Sequence, residues 1–120
     1  MLGKKIHNVR YALHGILLAW REEFSFKLQI AAAVLASLLG WYFAVSKTEW
    51  LFITVTIGAV MCAEVFNTAL EELCDKFKSE PDPHVAKIKD LAAGAVLIAS
   101  AAALVVGFII FVPKFAILFS

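Results

Sequence analysis

Apolar residues follow two patterns along the chain, a periodic stripe in the first segment and long continuous runs after it. Between residues 4 and 22, apolar positions recur every three to four residues, and most basic side chains lie off this stripe. The pattern predicts an amphipathic helix over 4–22. A basic helix with Trp20 near its end favours a position on a membrane surface over packing against protein.

Three long apolar runs then predict three membrane-spanning helices, at 28–45, 50–70 and 91–112. Each is close to the roughly 20 residues that cross the hydrocarbon core of a bilayer. The charged segment 71–90 contains two prolines, so it predicts the cytoplasmic end of the second helix and a loop. Pro113 is expected to end the third helix.

The composition supports an all-α integral membrane protein formed by a single domain over residues 1–120. Apolar residues make up 62% of the chain, and the mean hydropathy is +0.83. Soluble domains contain about 45–50% apolar residues. The net charge of +1 gives no reason to expect a nucleic-acid partner. Because three lone helices provide few walls for a site, we expect a homo-oligomer.

The basic residues predict the orientation of the chain. Five of the eleven Lys and Arg residues lie at or before residue 27, and four lie in the 71–90 segment. The opposite side has only Lys47 and Lys114. Because loops rich in Lys and Arg remain in the cytoplasm, we expect the N-terminus and the 71–90 loop to be cytoplasmic.

Acidic side chains gather near the cytoplasmic end of the second predicted membrane helix. Four residues at steps of three and four share one face: Glu64, Asn67, Glu71 and Asp75. Glu64 lies at membrane depth, where an ionised carboxylate costs at least about 2.5–3.5 kcal/mol. Like charges on one face repel unless cations neutralise them, and Mg²⁺ binds one or two carboxylates together with phosphate oxygens. The face therefore predicts a functional site.

Further charges lie at the same predicted level. Glu22 and Glu23 precede the first spanning helix, and Lys89 and Asp90 precede the third. Taken by themselves, Glu22 and Glu23 would be explained as a solvated helix end. Lys89 would be explained as an anchor at the membrane surface. No P-loop or Gly-x-Gly-x-x-Gly sequence occurs, so a nucleotide site would be of another type.

Three segments resemble the prokaryotic diacylglycerol kinase family, which includes the undecaprenol kinases. They are Glu-x-x-Asn-Thr-Ala-x-Glu-x-x-x-Asp at 64–75, Lys-Asp-x-Ala-Ala-Gly-Ala-Val-Leu at 89–97, and Trp-x-x-Glu-x-x-Phe-Lys at 20–27. The resemblance implies a homotrimeric bundle, each subunit with a surface helix and three transmembrane helices, in the bacterial inner membrane. It also implies ATP- and Mg²⁺-dependent phosphorylation of a lipid hydroxyl at sites between subunits. Diacylglycerol and undecaprenol both remain open as the acceptor.

The resemblance also implies roles for individual residues. Glu64 would be the general base, Glu23 and Glu71 would hold Mg²⁺, and Asn67 and Asp75 would support the site. The nucleotide would contact Tyr11, Glu23, Glu71, Glu80, Pro81, Asp82, Lys89 and Asp90. The lipid would contact Glu64, Ser25 and Phe26.

Two alternatives remain open beside the kinase. A small oligomeric transporter could use Glu64 to relay protons or bind a cation. That function would not explain the carboxylates nearer the cytoplasm or the Lys89–Asp90 pair. A membrane scaffold without chemistry predicts that Glu64→Gln leaves function and stability nearly intact.

Overall fold

The computed structural model describes residues 2–76 and 82–120, which form four α-helices. These are α1 (Leu2–Glu22), α2 (Phe24–Tyr42), α3 (Lys47–Lys76) and α4 (Pro83–Leu118). Helices α2, α3 and α4 are long and apolar enough to cross a membrane. The structure thus supports the prediction of an all-helical integral membrane protein with three apolar spanning helices.

Side-chain caps begin the second and third apolar helices. At the start of α3, the Glu49 amide donates to Ser46 Oγ (3.1 Å), and the Ser46 amide donates to Glu49 Oε1 (3.0 Å). This reciprocal pair satisfies amide donors that the first helical turn leaves free. At the start of α4, Asp82 Oδ1 accepts from the His84 amide (2.8 Å), and Pro83 occupies the first helical position.

Helix α4 does not end at Pro113, contrary to the expectation from sequence. It continues to Leu118, and Lys114 Nζ donates to the Ile110 carbonyl (3.2 Å) and forms an ion pair with Glu49 (2.7 Å). Proline is tolerated inside apolar helices where neighbouring groups compensate for the lost backbone hydrogen bond. The ion pair to α3 holds the turn that follows the proline.

Helices α3 and α4 pack as an antiparallel pair, and α2 packs on α3. Ion pairs tie α3 to α4 at both ends, Asp75 to Lys89 (2.7 Å) and Glu49 to Lys114 (2.7 Å). In this register Ser100 lies at the same position along the axis of the α3–α4 pair as Glu64. A buried apolar cluster lies near the Glu49–Lys114 end and consists of Val45, Ile53, Ile110 and Phe111.

Gly40 permits a close contact between α2 and α3 at this end. A Cβ atom added at Gly40 would lie 2.8 Å from Cη2 of Trp50. We therefore expect Gly40→Ala to displace the indole and destabilise the protein by about 1–3 kcal/mol, the usual cost of overpacking. The measurement is the thermal unfolding midpoint in detergent. Gly58→Ala is the matched control because its added Cβ meets no atom within 4 Å. An equal midpoint in both variants would contradict the packing account.

Candidate functional site

Glu64 is the centre of the site. It is only 2% exposed, and among the described residues it is the one polar or charged residue that is buried. Ser25, in the first turn of α2, donates its hydroxyl to Glu64 Oε2 at 3.3 Å. A buried carboxylate at hydrogen-bond distance from a hydroxyl is placed to accept a proton from an alcohol.

One turn further along α3, Asn67 orients the next carboxylate. Asn67 Nδ2 donates to Glu71 Oε1 at 3.2 Å. The other polar atom of the amide, Oδ1, is buried and accepts no hydrogen bond within the part of the chain that the structure describes. Because buried polar groups are nearly always paired, Oδ1 is suited to accept from a group that binds at the site.

Glu23 approaches this face from the junction between α1 and α2. It is partly buried, and its backbone is extended where α1 stops and α2 starts. Burial raises the pKa of the Glu23 carboxyl above its usual range, and the negative charges of Glu71, Glu64 and Glu22 raise it further. Two segments distant in sequence thus bring like charges together.

These carboxylates are suited to a cation that arrives with phosphate. Within residues 2–76 and 82–120, no Lys or Arg forms an ion pair with Glu23, Glu64 or Glu71. The same residues contain no cluster of three acidic, His or Cys side chains close enough to enclose a metal ion. Mg²⁺ needs only one or two carboxylates when phosphate oxygens and waters complete its shell. The donors therefore fit a shared cation, not a cage made by this chain alone.

The Asp75–Lys89 pair lies beyond the carboxylates, where α3 ends and α4 begins. Lys89 Nζ is 2.7 Å from Asp75 Oδ1, and the Lys89 side chain remains 31% exposed. Its ammonium is thus held in place and still reachable by a phosphate group. A lysine ammonium binds phosphate as a point charge.

The other residues predicted to contact the nucleotide lie on several different segments of the chain. Tyr11 is 72% exposed on α1, and Asp90 is exposed on α4. Asp82 caps α4, while Glu80 and Pro81 lie outside the described residues. Among the residues described, no hydrogen bond joins Tyr11, Asp82 or Asp90 to the α3 carboxylates. A nucleotide or a second subunit would have to bring them into one site.

Phe26, predicted to contact the lipid, is only 2% exposed. Its ring is therefore buried within the single chain. Direct contact of Phe26 with a lipid stays a prediction.

A polar pair that the sequence analysis did not assign lies next to the site. Gln29 Nε2 donates to Ser100 Oγ at 3.4 Å, joining α2 to α4. Gln29 is one helical turn after Ser25 on α2. The available signal was a polar residue inside each of two otherwise apolar runs, because such residues in membrane helices usually bond across helices.

Comparison with known proteins identifies the family of the chain. The family model described as prokaryotic diacylglycerol kinase matches residues 10–111. The undecaprenol kinase of Bacillus subtilis is 34% identical over 113 residues, covering 94% of this chain and 92% of that protein. The diacylglycerol kinase of Escherichia coli K12 is 29% identical over 89 residues, covering 74% of this chain and 73% of that protein. The chain therefore belongs to the prokaryotic diacylglycerol kinase family, which is a family of lipid kinases.

Proposed function

We propose that the protein transfers the γ-phosphate of ATP to the hydroxyl of a membrane lipid in a reaction that requires Mg²⁺. The hydrogen bond from the Ser25 hydroxyl to the buried Glu64 carboxylate carries this proposal. At 3.3 Å this is a long hydrogen bond, and it supports the proposal because an alcohol oxygen has room beside Glu64.

In the proposed reaction, the lipid hydroxyl gives its proton to a Glu64 carboxylate oxygen and its oxygen attacks the γ-phosphorus. The bond from that phosphorus to the β–γ bridging oxygen breaks, and ADP leaves with this oxygen. Asn67 orients Glu71 and offers its free carbonyl oxygen to a donor in the site. Glu23 and Glu71 would hold Mg²⁺, which would supply positive charge to neutralise the phosphates. Positioning and charge neutralisation provide most of the rate gain in phosphoryl transfer.

The nucleotide is proposed to bind on the cytoplasmic side of these carboxylates. Lys89, held by Asp75, supplies a positive charge for the phosphates. The further nucleotide contacts that we propose are Tyr11, Glu80, Pro81, Asp82 and Asp90. Tyr11 is 72% exposed on α1, and among the described residues no hydrogen bond joins it to the α3 carboxylates, which supports a site completed by another subunit of a homotrimer.

The membrane position of α1 is proposed from its surface. Its apolar residues remain largely uncovered by the rest of the chain, including Ile6 (55% exposed), Val9 (58%) and Leu13 (62%). A basic helix with an uncovered apolar stripe is typical of helices that lie in the membrane interface. We propose that α1 lies on the cytoplasmic surface of a bacterial inner membrane.

The direct test is transfer of labelled γ-phosphate from ATP to diacylglycerol and to undecaprenol, compared side by side in detergent with Mg²⁺. The names of the relatives support both acceptors. We expect labelled lipid from at least one of them and loss of labelling with a chelator. The transporter alternative predicts no lipid-stimulated release of ADP, so the absence of both labelling and stimulated ADP release would reject the kinase proposal.

A further inference from the structure

Ser25 places an alcohol oxygen of the chain itself beside the buried carboxylate of the site. Its hydroxyl donates to Glu64 Oε2 at 3.3 Å. By contrast, several other hydroxyls donate to backbone carbonyls of nearby residues, namely those of Ser37, Thr56, Thr68 and Ser120. A hydroxyl beside a buried carboxylate has the arrangement of a nucleophile and its general base, and their separation is often longer before substrate binds.

The Ser25 hydroxyl is also open to an incoming group. Ser25 is exposed at the start of α2, whereas Glu64 is only 2% exposed. A lipid hydroxyl activated by Glu64 would need the same carboxylate to which Ser25 donates. A phosphate group placed to react with that lipid oxygen therefore also comes close to the Ser25 oxygen.

The start of α2 is suited to phosphate. Glu23, proposed to hold Mg²⁺ with Glu71, is the N-cap of α2 and lies two residues before Ser25. Besides burial, the charges of Glu71 and Glu64 raise the pKa of the Glu23 carboxyl, so these carboxylates lie near one another. The Glu23 side chain makes no capping hydrogen bond, which leaves the amide donors of the first turn to water or to an anion. Ser25 thus lies beside the proton acceptor and within a turn that attracts phosphate.

From this arrangement we infer that Ser25 is a second phosphate acceptor, phosphorylated from ATP when no lipid alcohol occupies the site. The inference rests on the proposed kinase function. In this step the Ser25 hydroxyl gives its proton to the Glu64 carboxylate, and Ser25 Oγ forms a bond to the γ-phosphorus. The bond from that phosphorus to the β–γ bridging oxygen breaks, and ADP leaves with this oxygen. The products are a phosphoserine at position 25 and ADP.

The geometry predicts that this reaction is slow. The Ser25 oxygen is attached to the backbone of α2, so it cannot align with the phosphorus as freely as a bound lipid can. A misplacement of about 1 Å lowers the rate of such a step about 100-fold. A lipid hydroxyl that binds beside Glu64 displaces the Ser25 hydroxyl from the carboxylate. Phosphate should therefore accumulate on Ser25 only when the acceptor lipid is absent.

The test is incubation of the purified full chain with γ-labelled ATP and Mg²⁺ in an amine-oxide detergent, which has no hydroxyl group. Acid-stable label on the protein is measured, and its position is mapped by mass spectrometry of peptides. We expect label on Ser25, at most one phosphate per subunit, formed about 100-fold or more slowly than phosphorylated lipid. Adding dioleoylglycerol or undecaprenol, whichever the protein phosphorylates, should suppress the labelling of Ser25.

Two variants connect the label to the site. Glu64→Gln should lower the rate of Ser25 labelling by about 10²–10⁴-fold, because the same carboxylate takes the proton. Ser37→Ala is the matched control, since Ser37 belongs to the same helix but its hydroxyl donates to the Ala33 carbonyl at 2.8 Å. It should keep the wild-type labelling of Ser25.

The outcomes separate this inference from the kinase proposal. If lipid is phosphorylated but Ser25 carries no label without lipid, the inference is overturned and the kinase stands. Label that maps to another residue, or label on Ser25 that Glu64→Gln leaves unchanged, overturns it as well. If neither a lipid alcohol nor Ser25 is labelled, both the inference and the proposed function are wrong.

Discussion

Glu64→Gln is expected to lower the rate of lipid phosphorylation by about 10²–10⁴-fold, the usual contribution of a general base. Glutamine has nearly the same shape and cannot take the proton of an alcohol. Its side-chain oxygen can still accept the hydrogen bond that Ser25 donates to Glu64. The loss should therefore appear in kcat, with little change in the KM for ATP, as measured with labelled phosphate under saturating lipid.

The control for this substitution is Glu72→Gln. Glu72 belongs to the same helix and carries the same charge, but its side chain is exposed. We expect Glu72→Gln to retain wild-type turnover, and both variants to keep the wild-type thermal midpoint or a higher one. Among the described residues no Lys or Arg pairs with Glu64, so removing its charge leaves no partner charge unpaired. If Glu64→Gln turned over within a few-fold of wild type, the proton acceptor would have to be another group.

The helices and their apolar character could be predicted from the sequence because hydropathy over about 20 residues is a local property. The ends of the helices were harder to predict. Pro113 is a local stop signal, yet α4 continues to Leu118, and Lys114, the residue after the proline, bonds to Ile110 within α4 and to Glu49 on α3. The partner on α3 is 65 residues away, and local sequence does not show that the two meet.

In the candidate site, too, the geometry within one helix could be predicted from the sequence, and the contacts between helices could not. Asn67 and Glu71 share a face with Glu64 because they belong to one helix, so their spacing alone predicts this geometry. The approach of Ser25 to Glu64 and of Glu23 to Glu71 depends on how α2 packs on α3. The sequence placed Glu22 and Glu23 at the level of the site, and only resemblance to a family singled out Glu23 as a metal ligand. Nothing in the spacing pointed to the Gln29–Ser100 hydrogen bond, since it joins two apolar runs across the bundle.

The second large effect is expected from Glu71→Gln, which should lower kcat/KM about 100-fold and raise the Mg²⁺ concentration needed for half-maximal activity. The substitution removes a full negative charge from the proposed cation site. Glutamine can still accept the hydrogen bond from Asn67 Nδ2, so the helix face is preserved. Glu22→Gln removes a charge from an exposed position nearby and should leave the Mg²⁺ requirement close to that of the wild type.

Although Glu71→Gln should lower activity, it should raise the stability of the protein measured without Mg²⁺ or ATP. Burial and the charge of Glu71 raise the pKa of Glu23, so folding disfavours ionised Glu23. The folded protein therefore loses stability as pH rises from the usual carboxyl range through the raised pKa. Removing the Glu71 charge should reduce that loss. With a chelator present, the thermal midpoint of Glu71→Gln should be closer to that of the wild type at pH 5 than at pH 8. At pH 8 the variant should unfold at a higher temperature than the wild type. A variant that loses the same stability at both pH values would show that Glu71 acts in packing, not as part of a repulsive cation site.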